Sequence, residues 1–112
     1  MVWLSKNHPE TLDRVPKEYE NLTIAEIAVS LTPEKIRPED ITENLEARGA
    51  LLSLEAADIR FRLDGRAPTR DEGHFMGVGN SLLLWGTQNL KQFQAVGAKK
   101  NQSGVLRITY FF

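Results

Sequence analysis

Cysteine is absent from the 112-residue chain, which excludes a disulfide framework, a thiolate nucleophile and a cysteine-held zinc. Histidine is scarce, with only His8 and His74, so little imidazole chemistry is on offer. No apolar run approaches the ~20 residues a membrane helix requires, and no membrane partner is expected. Neither charge sign is in excess: 14 Lys+Arg stand against 15 Asp+Glu, a net charge of -1. Without a basic surplus to neutralise phosphates, nucleic acid is not an expected partner. What remains is ordinary globular composition, 41% hydrophobic and 26% charged, of a length suited to one domain.

The first twenty residues carry no apolar core of the kind an export signal needs, since charge begins at Lys6. Synthesis in a cytoplasm is therefore expected. Charge is unevenly spread: residues 1–56 hold 6 basic and 11 acidic side chains, residues 57–112 hold 8 and 4. Either the two halves pack on each other, or opposite faces meet in neighbouring copies, where complementary fields set register.

Residues 1–21 read as an extended N-terminal arm, because Pro9 and Pro16 interrupt any helix. Trp3, Leu4 and Val15 are apolar anchors in this polar segment. They either fold back on their own domain or dock on another chain. Residues 22–112 then form the folded domain. Leu22–Thr32 fits both a helical stripe and a strand face (Ala25, Ile27, Val29, Leu31), and its β-branched content favours the strand. Pro33–Arg48 is acidic and proline-punctuated, a surface loop with room for a helical turn.

From Ala50 onward the pattern is β. Leu52, Leu54 and Ala56 share one face, and Ile59, Phe61 and Leu63 alternate with Arg60 and Arg62. Asp64-Gly65 is a turn, Arg66–Gly73 a loop, and Gly77, Gly79 and Asn80 a second turn. Ser81–Trp85 and Leu90–Val96 are expected strands, with Trp85 in the core, and Gly97–Gly104 a hairpin loop. Val105–Phe112 closes the chain with Leu106, Ile108, Tyr110 and Phe112 on one face. Closely spaced short strands without long helices predict an all-β antiparallel β-sandwich, jelly-roll or immunoglobulin-like.

Chemistry is thinly represented. Asp71, Glu72 and His74 cluster in a loop, without the helical spacing that aligns metal ligands. Gly73, Gly77 and Gly79 form GxxxGxG, which is no phosphate-binding loop, and Ser81 is in no nucleophile elbow. No cofactor or metal is expected, and the chain reads as non-enzymatic. Arg60 and Arg62 form a basic strip suited to bidentate contacts with acidic residues 34–46 of a neighbour. Trp85 or Tyr110, if exposed, would offer a stacking platform for sugars.

The segments IRFRLDGRAPT (59–69), GHFMGVGNSLLL (73–84), LKQFQAV (90–96) and SGVLRITYFF (103–112) resemble a group of small phage and prophage proteins. The shared pattern is I-R-aromatic-x-x-D-G, Pro-Thr, Gly-His, an apolar strand, an F-x-A-V strand and a closing strand ending in T-Y. The resemblance implies a virion-associated β-sandwich in a homo-oligomer, with phage capsid or tail proteins as partners. Its expected roles are head decoration, capsid stabilisation, or a tail or head–tail connection, and the interface residues would be Trp3, Leu4, Val15, Arg60 and Arg62. The run around Asp64-Gly65 and Pro68-Thr69 is also similar to the sandwich module at the C-terminus of chitobiase and hexosaminidase enzymes. There the implied alternative is a small carbohydrate-binding accessory module, although Phe61 stands where that module has tyrosine.

Overall fold

A computed structural model describes residues 17–32 and 46–112. Two four-stranded antiparallel sheets pack face to face. Sheet A holds β1 (Lys17–Ile24), β3 (Gly49–Glu55), β6 (Ser81–Trp85) and β8 (Gly104–Phe111). Sheet B holds β2 (Val29–Ser30), β4 (Ile59–Arg62), β5 (His74–Met76) and β7 (Gln94–Gly97). The order is β1-β8-β3-β6 in one and β2-β7-β4-β5 in the other. Strands one and eight, two and seven, three and six, and four and five are therefore neighbours. That is a long antiparallel ribbon rolled over on itself, the jelly-roll arrangement, and it settles the choice against an immunoglobulin-like order.

Alternation places the core. Along β8, Leu106, Ile108 and Tyr110 point inward while Val105, Arg107 and Thr109 point outward. Leu52 and Leu54 of β3 sit beside Ile108 and Leu106 in register, and all four are essentially without solvent exposure. From sheet B, Ile59 and Ala95 close the same core. Phe61 stacks on buried Phe93 with ring centroids 5.5 Å apart. The C-terminal Phe112 is buried as expected, and Arg48 Nε donates to its carbonyl at 2.8 Å.

Several expectations need correction. β1 starts at Lys17, inside the segment read as an arm that ended at residue 21, because Lys17–Ile24 pair continuously with Phe111–Gly104. Residues 1–16, with Trp3, Leu4 and Val15, and the expected loop over residues 33–45 lie outside the described residues. Leu22–Thr32 is not one strand: after Ile24 the chain bends and crosses to sheet B as β2, leaving Ile27 81% exposed. Ala56 is off the Leu52–Leu54 face, since it turns with φ 75 as the chain leaves sheet A.

The expected strand over 90–96 divides in two. Thr87–Gln92 is a short helix, α1, and only Gln94–Gly97 is strand. None of Gln88–Gln92 is β-branched, and one helical turn suffices to carry Leu90 from the rim into full burial. Residues 97–104 form no hairpin either. Gly97 pairs with Ile59 in sheet B and Gly104 with Ile24 in sheet A, so the loop bridges the layers.

Candidate functional site

The two sheets present outer faces of opposite chemistry. On sheet B, strand alternation turns Arg60 and Arg62 of β4 outward, with Phe75 of β5 opposite Arg60. Both guanidinium groups are engaged within the chain. Arg60 donates from Nε to the Arg70 carbonyl and from Nη1 to the Gly73 carbonyl, each at 3.1 Å, and lies 5.4 Å from the centre of the Phe75 ring. Arg62 forms a two-pronged ion pair with Asp64 and reaches Glu72 at 3.4 Å. The sequence places these arginines as contacts to a neighbour's acidic residues. Their geometry makes them staples that hold the 64–73 loop against β4.

That loop is well tied. Asp64 also accepts from the Arg66 backbone N–H at 3.2 Å, and Thr69 and Glu72 exchange backbone hydrogen bonds at 2.9 and 3.2 Å. The Arg62 guanidinium holds the Asp64 carboxyl down to about 2, with the Arg66 N–H adding to the effect. The same pairing raises Arg62 above its ordinary value. An open depression lined by Arg62, Leu63, Asp64, Glu72, Gly73 and His74 lies beneath. The His74 ring packs on Phe61, centroids 5.3 Å apart. Among the described residues, no three His, Asp or Glu side chains are gathered for a metal.

Sheet A faces outward with two cross-strand rows of largely apolar residues. One runs Tyr19–Thr109–Leu51–Leu83, and the next Lys17–Phe111–Gly49–Trp85. Trp85 was expected in the core, but β6 turns Leu82 and Leu84 inward and therefore Trp85 outward, where it is 52% exposed. Its indole lies over Gly49, its partner in register: a Cβ at Gly49 would fall 2.2 Å from a Trp85 ring carbon. The indole also meets Phe111, centroids 6.4 Å apart. At the opposite edge Tyr19 is 56% exposed. Beyond the apolar rows the face turns polar through Asn21, Arg107, Ser53 and Ser81. Arg107 pairs with Glu55 at 3.0 Å. Glu55, and to a lesser degree Tyr19, raises the Arg107 guanidinium above its usual value.

Leu51, Leu83 and Tyr19 escaped the sequence reading as surface residues. The signal was present in the adjacent pair Leu51-Leu52 and the run Leu82-Leu83-Leu84, because consecutive apolar residues on a strand load both faces. Tyr110, the other candidate sugar platform, is buried, and its hydroxyl donates to Glu20. Comparison with protein-family models, curated proteins and solved structures yields no match.

Proposed function

We propose that this chain is a non-enzymatic structural protein of a tailed bacteriophage particle. Its most specific form is a head-decoration protein that stabilises the capsid, and a tail or head–tail connecting component is the variant of the same reading. The apolar band on the outer face of sheet A carries the proposal. Tyr19 and Trp85 stand half exposed there with the partly exposed Leu51 and Leu83 between them, and contiguous apolar side chains in contact with water are the usual mark of a surface that binds a partner. The resemblance of residues 59–112 to phage proteins supplies the setting. The jelly roll recurs in viral capsids, an analogy of fold that agrees with the reading without assigning it.

Mass spectrometry of purified particles from the source tests it. The expected outcome is the chain in intact particles at a copy number commensurate with shell or tail symmetry. Its absence from washed particles would overturn the reading.

One observation favours a second reading, the carbohydrate-binding module. Trp85 lies half exposed on the outer face of sheet A, and jelly rolls also serve as lectins. A glycan array separates the two: sugar binding abolished by Trp85→Ala would favour the second.

A further inference from the structure

We propose that the crevice between the 25–28 and 98–103 loops is a binding site for a neutral sugar. It goes beyond the particle reading and is separate from the Trp85 platform. Trp85 shares its row with Lys17 and Phe111, whereas the crevice opens at the other end of the strands, where Ile24 pairs with Gly104.

The walls are in place before any ligand arrives. β1 ends at Ile24 and β8 begins at Gly104, so their pairing fixes the roots of both loops. The Gly97 N–H donates to the Ala25 carbonyl at 2.7 Å. Glycine suits this approach, because a Cβ there would fall 3.0 Å from the Ala25 oxygen and 3.2 Å from the Gln102 oxygen. The Asn101 backbone N–H donates across to Glu26 Oε1 at 3.4 Å, with Asn101 in the left-handed region at φ 62. The crevice measures about 570 Å³, within the roughly 300–1,000 Å³ of small-molecule sites.

Its lining decides what fits. Thr23, Glu26, Ile27 and Val29 form one side, and Asn101, Gln102 and Ser103 the other. Among the described residues, none hydrogen-bonds to the side chains of Thr23, Asn101, Gln102 or Ser103, all of them exposed. Two hydroxyls, two amides and a carboxylate thus offer donors and acceptors side by side. Neighbouring sugar hydroxyls need such a mixture, since each both donates and accepts. Ile27, 81% exposed, and Val29 supply apolar surface for the C–H face of a ring. Among the described residues no lysine or arginine lines the crevice, and the Glu26 carboxylate repels anions. Phosphorylated and sulfated ligands are therefore disfavoured against a neutral one.

The test is an amide NMR titration of the full chain with the methyl glycosides of glucose, galactose, mannose and N-acetylglucosamine. Each is taken to about 50 mM, enough to saturate a site with a Kd of about 1 mM. At least one should shift the amides of residues 25–28 and 101–103 and reach saturation. Glu26→Gln keeps the shape and removes the charge, and should weaken that binding by roughly tenfold. Asn101→Gly accepts the left-handed backbone without strain, and should weaken it similarly with the melting temperature retained. Trp85→Ala should leave it unchanged. The absence of a saturable shift with all four sugars would overturn the proposal, as would shifts centred on Trp85 or binding lost with Trp85→Ala. Indifference to both loop variants, or an equal response of the same amides to sodium phosphate, would overturn it too. Each of these results leaves the particle-association experiment untouched, so the crevice and the virion reading fail separately.

Discussion

A few side chains set the local geometry through identifiable physics. Gly65 holds φ +81, and the nearest atom to a Cβ there is Gln92 Cγ at 3.9 Å. Gly65→Val thus meets no wall, and its cost is backbone strain alone, about 1–2 kcal/mol. Thermal melting should fall by several degrees with the fold unchanged by circular dichroism. Asp64 behaves differently. Its carboxyl sits at about 2 in the folded chain against an ordinary 3.8, because ionised Asp64 is bonded by Arg62. A depressed carboxyl contributes stability that is complete above about pH 4 and is lost as pH falls from there toward 2. NMR titration of the Asp64 carboxyl should find the depressed midpoint, and Arg62→Ala should return it to the ordinary range. The same Arg62–Asp64 pair shows how far composition carries: Asp64-Gly65 was legible as a turn, but which group Arg62 would choose was not.

Among the elements, β8 bears most of the architecture. It lies between β1 and β3 and pairs with both along its length. Its last residues, Tyr110, Phe111 and Phe112, are 0%, 6% and 3% exposed. Deleting Tyr110–Phe112 removes three large apolar groups worth roughly 1.5–3 kcal/mol each when fully buried. That sum rivals the whole stability of a typical domain, about 5–15 kcal/mol. The truncated chain should lose cooperative melting and amide dispersion, and unchanged melting would contradict the role of β8. Strict alternation made β8 and β4 readable in the sequence. Helix α1 was not, because Leu90, Phe93 and Val96 serve a strand and a helix-plus-strand equally well. The choice was made where Leu90 had to reach the core from the rim.

For the molecule as a whole, the rolled ribbon brings distant segments into register and so decides which residues share a face. Tyr19, Leu51, Leu83 and Thr109 come from four strands spread along the chain and become one row. Their apolar area matters only once they are contiguous, since isolated exposed apolar residues are ordinary. Sheet B, by contrast, spends its outward arginines on its own loop. Sheet A leaves Tyr19 and Trp85 half exposed at its two edges, as sheet B leaves Phe75.

Residue order alone determined that the chain would be an antiparallel sandwich, that Leu106, Ile108, Tyr110 and Phe112 would line its interior, and that Asp64-Gly65 would turn. These are local matters of period, burial and backbone freedom, written into neighbouring positions. Only the tertiary structure decided the rolled strand order, the crossing of residues 25–28 and 98–103 between sheets, and the outward placement of Trp85 over Gly49. Those outcomes depend on which strands become neighbours, a choice made by burying the most apolar surface across long separations in sequence, and no window of nearby residues contains it.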